Sequence, residues 1–162
     1  MSRELDALRA RAQPIPLDAA ARAAWAGRMN ALPAMRTMGA ALDLADEAIV
    51  AMRLETVAAH HLGGLGTKAV NGGVIAGLFD GALGVAGVLQ FAGQRAGTVE
   101  LSIKLMRPAF EAPLVVHGIC VRRTAHLAFT EAALYADGRL CAAASGIVAV
   151  ASTPPGGEDW YW

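Results

Sequence analysis

The chain has 162 residues, 55% hydrophobic and 17% charged, and its 14 basic and 14 acidic side chains balance to zero. That length suits one domain with a sizeable core rather than two, and so much apolar content with so little charge excludes intrinsic disorder. A neutral chain with a pI near 6.9 has no general pull toward nucleic acid or anionic membrane, so neither is an expected partner, whereas neutrality favours self-association.

The first residues, MSRELDALRARAQ, are charged and lack the apolar run of a secretory signal, which places the protein in the cytoplasm. Residues 3–12 and 17–31 read as helices, the second capped by Asp18 and carrying Trp25 and Met29. Pro14, Pro16, Pro33 and Gly39 punctuate this N-terminal helical arm, residues 1–40. Ala41–Leu44 and Ile49–Leu54, on either side of Asp46-Glu47, read as strand, turn and strand. The glycine-rich stretch from His60 to Gly73 has no periodicity and reads as an ordered loop feeding a helix from about Val74 to Gln90. The run Gly72 to Leu89 is apolar but carries Asp80, and a membrane span needs about 20 predominantly apolar residues; a buried core helix is the better reading.

In Val99 to Met106, Val99, Leu101, Ile103 and Leu105 alternate with polar residues, the period of a half-buried strand. Leu114–Arg123 and Leu127–Ala136 are two further strands, and Asp137-Gly138 is a strong hairpin turn into a last strand from Arg139 to about Val150. The tail, residues 152–162, reads as turn-like and loosely held. Cys120 and Cys141 lie in no metal-binding spacing and read as reduced packing residues.

The order is an α+β layout in which residues 41–151 form one antiparallel sheet covering one apolar helix. A helix apolar on every side must be buried on every side. One sheet covers part of its circumference, and the same helix of a second subunit in a two-fold dimer is the economical cover for the rest.

Asp80 is the only ionisable residue between Lys68 and Arg95. It reads either as a helix-surface Asp at a solvent window or dimer contact, or as a catalytic carboxylate with a raised pKa, able to serve as base or nucleophile. Gly77, Gly81 and Gly84 around it favour the second reading, because each costs a helix about 1 kcal/mol relative to Ala and makes room for another backbone or a ligand. Just before the helix, Asn71-Gly72-Gly73 stands where unpaired N–H groups and the positive dipole end point outward, as an oxyanion site requires; Asn71 also reads as a plain N-cap. Gly72 and Asp80 are eight positions apart, roughly 12 Å along a helix, too far for one reacting centre to touch both. Two antiparallel helices across a dimer axis would bring Gly72 of one chain near Asp80 of the other.

The stretch NGGVIAGLFDGALGVA resembles the signature of the hotdog-fold acyl-CoA thioesterases of the phenylacetate-degradation (PaaI-like) type: His-Gly-Gly, about six apolar residues, then Asp. VELSIKLMRPA resembles that family's long central strand, and YADGRLCAAASGIVAV its final hairpin. The resemblance runs from about Leu42 to Val150 and leaves the arm outside. It implies a hotdog fold, a homodimer or dimer of dimers with interfacial sites, an acyl-CoA substrate and no further cofactor or metal. Asp80 matches the family's catalytic acid, and Gly72 the residue whose N–H polarises the thioester carbonyl. Asn71 replaces the usual histidine and Leu65 stands where an Asn or Gln often helps; His61, His60 or Thr67 are the substitutes within reach of the loop.

Coenzyme A carries phosphates, and a neutral protein must hold them with a local basic cluster. Arg122-Arg123-Thr124 with His126 close by is the best candidate, followed by Arg107 and Lys104. The expected reaction is hydrolysis of an aromatic or medium-chain acyl-CoA. The alternatives are a non-catalytic acyl-CoA-binding protein, which Asn71 and Leu65 keep open, and an acyl-thioester dehydratase or hydratase, which would need a histidine beside the apolar helix.

Overall fold

The computed structural model of the protein describes residues 2–63, 68–91, 93–110 and 113–151. Three helices come first: α1 (Ser2–Arg9), α2 (Ala19–Asn30) and α3 (Pro33–Met38). Asp18 caps α2 as its sequence position predicts, accepting the Ala21 N–H at 2.8 Å. The stretch after Pro33, expected only as punctuation, is a helix in its own right. Pro33 starts it at a position where no N–H is needed, and Gly39 closes it in the left-handed region at φ 66°.

The strands are β1 (Ala41–Asp43), β2 (Val50–Leu54), β3 (Ala96–Leu105), β4 (Leu114–Arg123), β5 (Leu127–Ala136) and β6 (Arg139–Val150). They form one antiparallel sheet in the order β1-β2-β4-β5-β6-β3. Asp46 makes the β1–β2 turn by accepting the N–H groups of Ala48 and Ile49. Asp137 and Gly138, both at positive φ, make the β5–β6 turn, the geometry that Asp-Gly favours.

The apolar helix α4 (Gly72–Val88) packs on β2, β3, β4, β5 and β6. Gly118 and Gly87 set how closely it can lie. A Cβ at Gly118 would stand 2.9 Å from the Ala82 carbonyl oxygen, and one at Gly87 2.5 Å from the Val148 side chain. The core between helix and sheet contains Leu78, Phe79 and Leu83 of α4 against Met52, Leu54, Val116 and Leu134, all buried.

The sheet packs over α4 with β1 and β3 as its two edges. The arm seals the β1 edge. Asn30 donates to the Leu42 carbonyl at 2.9 Å and accepts the Leu42 N–H at 2.7 Å, while Arg22 donates to the carbonyls of Leu17, Leu44 and Ala45. Farther back, Arg9 pairs with Asp46 and Arg11 with Glu131, and the N–H groups of Gln13 and Ile15 reach the carbonyls of Cys120 and Glu47. Asp46 is desolvated by its position, which raises its pKa, but the hydrogen bonds from Arg9, Ala48 and Ile49 outweigh that and hold it below the ordinary value.

The alternation in β3 predicted a half-buried strand; much of β3 is exposed instead. It is the outermost strand, with a bulge between Thr98 and Glu100, and Val99 at the bulge is 65% exposed and Leu105 59%. Both cysteines are free and buried, and burial pushes the Cys120 thiol up. Among the described residues no helix is long and apolar enough to cross a membrane. The tail residues 152–162 lie outside the described residues.

Candidate active site

α4 begins two residues earlier than its hydropathy suggests, because Asn71 is the N-cap: its Oδ1 accepts the Gly73 N–H at 2.7 Å. Gly72 and Gly73 are both exposed. The Gly73 N–H is therefore engaged by the cap, whereas Gly72 is the first residue of the helix, whose opening N–H groups lack intrahelical acceptors. A Cβ at Gly72 would meet only Leu105 Cδ1, at an ordinary 3.5 Å. Among the described residues, no close contact requires glycine there.

His61 holds this helix start in place. Its Nδ1 accepts the Ala58 N–H and its Nε2 lies 2.9 Å from the Met38 carbonyl, so Nε2 carries the proton and donates to it. Its own carbonyl accepts the Asn71 N–H. Both ring nitrogens are committed to backbone and the ring is buried, an anchoring arrangement rather than one that offers a nitrogen to a substrate. His60 is exposed beside it. Leu65 and Thr67 lie outside the described residues.

Asp80 is exposed rather than enclosed, so its isolation in the sequence is not isolation from water within this chain. It opens into a cavity of ≈ 880 Å³ with one flank of α4 as floor, the start of β3 on one side and α2 on the other. Asp80, Gly84 and Val88, one per turn, form that floor. The glycines around Asp80 prove to have different neighbours. Gly77 makes room for Met38 and Gly81 for Met52, side chains of this same chain, so neither records the approach of another backbone or a ligand. Only Gly84, facing Thr98 Oγ1 and Asp80 Oδ1, widens the ground beside the carboxylate.

The candidate phosphate-binding residues fall at two ends of the molecule. Arg122, Arg123 and Thr124 lie at the β4–β5 connection, beside the C-terminal end of α4. Arg123 donates to the Gln90 carbonyl at 2.6 Å and stacks 5.9 Å from the Phe91 ring centre, closing the last turn of the helix region. Thr124 Oγ1 accepts the N–H groups of His126 and Leu127 and is thus a turn former. Arg122 is exposed. Arg107 and Lys104 are at the other end, near the start of α4, with Arg107 donating to the Leu140 carbonyl.

A curled antiparallel sheet wrapped round one long apolar helix defines a hotdog-fold protein. Residues 67–143, which include the whole Asn71–Asp80 segment, match the model of the thioesterase superfamily. Among solved structures, the chain is similar to the PaaI protein of the E. coli phenylacetic acid degradation operon, with 17% identity, 83% of this chain and 97% of that chain covered, and a TM-score of 0.71. A thioesterase of Haemophilus influenzae aligns with 13% identity over 81% of this chain and 91% of its own, TM-score 0.71. A phenylacetic acid degradation-related protein of Ralstonia eutropha aligns with 23% identity over 74% and 91%, TM-score 0.63. No curated protein matches the chain by sequence. The chain thus shares the fold of these proteins, and its residues 67–143 are similar to the thioesterase superfamily.

Proposed function

We propose that the protein hydrolyses an acyl-CoA thioester, with an aromatic or medium-chain acyl group, at a site composed from two copies of the chain. The observation that carries this reading is the separation of Asp80 and Gly72 on one unbroken helix. Eight residues of α4 span roughly 12 Å. Both residues are exposed, and neither alone makes a reaction centre. A second chain with its α4 antiparallel supplies the missing half twice over, as two-fold symmetry demands. The exposed outer edge of β3, ten residues long with Val99 and Leu105 uncovered, supports the same assembly, since an unpaired edge of that length invites another strand.

In such a site the Gly72 N–H and the helix dipole stabilise the oxygen of the thioester carbonyl as it becomes negative. Asp80 either takes the proton of an attacking water or attacks the carbonyl carbon itself to give a mixed anhydride that water opens. Either way the C–S bond breaks, the CoA thiolate leaves and is protonated, and the acid is released. An antiparallel helix pair also brings Arg122 and Arg123 of one chain to the end where Arg107 of the other stands, a divided basic grip for the CoA phosphates.

The test is turnover of a panel of aromatic and aliphatic acyl-CoAs by thiol release, beside Asp80→Asn. Equal turnover by both proteins overturns the role of Asp80. Binding without turnover by the native protein establishes the acyl-CoA-binding alternative, and a monomer by light scattering at micromolar concentration removes the composite site.

A further inference from the structure

Trp25 and Met29 of α2 line the same cavity as Asp80. They are one helical turn apart and so share a face. The neighbouring row of α2 carries Arg22 and Asn30, whose five hydrogen bonds to the segment around β1 and to Leu17 fix the helix near both of its ends. Trp25 and Met29 are consequently a fixed wall, held at one lip of the cavity. The opposite lip is the start of β3, and the floor from Asp80 to Val88 runs roughly 12 Å along α4.

We infer that the N-terminal arm is the size-determining wall of the acyl pocket, with Trp25 and Met29 setting how long or bulky an acyl group can lie beside Asp80. This rests on the acyl-thioester reading above. A groove floored by Gly84 and Val88 is apolar and open, so nothing on the helix itself limits the acyl group. The indole is the largest rigid group at the lip, and Met29 fills beside it with an adaptable thioether. Both residues also pack against the core, which keeps them from swinging aside.

The experiment compares native protein, Trp25→Ala, Trp25→Phe and Met29→Ala on straight-chain acyl-CoAs from butyryl to palmitoyl and on phenylacetyl-CoA, with melting temperature as the folding control. The expected result is a move of the kcat/KM optimum to longer chains in Trp25→Ala and Met29→Ala, by about fourfold for each added methylene the widened groove buries. The change resides in KM and grows with chain length, and Trp25→Phe lies between native and Trp25→Ala. An unchanged chain-length profile, or an equal loss on every substrate, overturns the inference. Should Trp25→Ala fail to fold, the profiles of Trp25→Phe and Met29→Ala decide. Absence of turnover by the native protein on every thioester is failure of the hydrolase reading instead. Calorimetric binding of the same acyl-CoAs to native and variant proteins then decides this proposal, which falls if nothing binds or if the dependence of affinity on chain length is the same in both.

Discussion

Asn71 Oδ1 accepts the N–H of Gly73, not that of Gly72, so the side chain that caps α4 does not engage its first amide. This gives an unusually clean test of the amide. Residue 72 is the first of the helix, where proline is tolerated, and Asn71 already has the extended backbone that a residue before proline adopts (φ −61°, ψ 137°). Gly72→Pro should keep the fold while removing the donor, lowering kcat by about 10²–10³. Gly72→Ala keeps the N–H, meets only Leu105, and should retain activity. Circular dichroism melts beside thiol-release kinetics check both.

Asp80→Asn should lower kcat by about 10²–10⁴, the range for losing a positioned base, with little change in melting temperature because the side chain is exposed. Single turnover in ¹⁸O-labelled water separates the two chemical routes. Label in the Asp80 carboxylate, detectable by peptide mass spectrometry, establishes the nucleophilic route with water opening the anhydride at the Asp80 carbonyl, since a general base never acquires it.

Gly118→Ala should cost about 1–3 kcal/mol, since its Cβ would meet the Ala82 carbonyl at 2.9 Å and a helix backbone cannot yield as a side chain can. Gly97→Ala, with nothing within 4 Å of its Cβ, is the control. Urea denaturation midpoints of the two variants should separate clearly.

His117 gives the fold a pH dependence of defined sign. It is buried on β4 with no partner for Nδ1. Burial, then repulsion from Arg53, lowers its pKa from the ordinary 6.5 against the pull of Asp43 and Asp46. The unfolded chain therefore takes up the proton first as pH falls, so this contribution to stability is complete above pH 6.5 and declines below it until the lower folded value is reached. Melting temperature should fall between about pH 7.5 and pH 5, and His117→Leu should make that fall shallower.

Asn30→Ala removes both hydrogen bonds to Leu42 and leaves Arg22 alone to tie α2 to the β1 edge. A loss of about 1–3 kcal/mol is expected. Proteolysis should cut the arm before the sheet, visible as an early fragment lacking roughly the first 40 residues.

The hairpin at Asp137-Gly138, the cap at Asp18, the strands β4 to β6 and the isolation of Asp80 were legible in the sequence because each depends on residues close together: turn chemistry, capping and a period of two. The helix in 33–38 was missed although Pro33 and Gly39 are its ordinary start and stop signals; six residues are too few to show a period.

What local pattern could not supply was the partner of each glycine and histidine. Gly77, Gly81 and Gly84 look alike in the sequence, yet two accommodate Met38 and Met52 and one opens beside Asp80. His61, which the sequence offers as a substitute for the usual histidine, has its two nitrogens engaged by the Ala58 N–H and the Met38 carbonyl. Likewise the sequence required that something cover the rest of α4, and proposed a second copy; only the fold brought the arm's Trp25 and Met29 over part of that flank. By itself the sequence determined a sheet, an apolar helix and one charge within it, since these follow from periodicity and composition. Which side chains fill the space around that charge was decided by tertiary structure, because packing joins residues that no sequence interval relates.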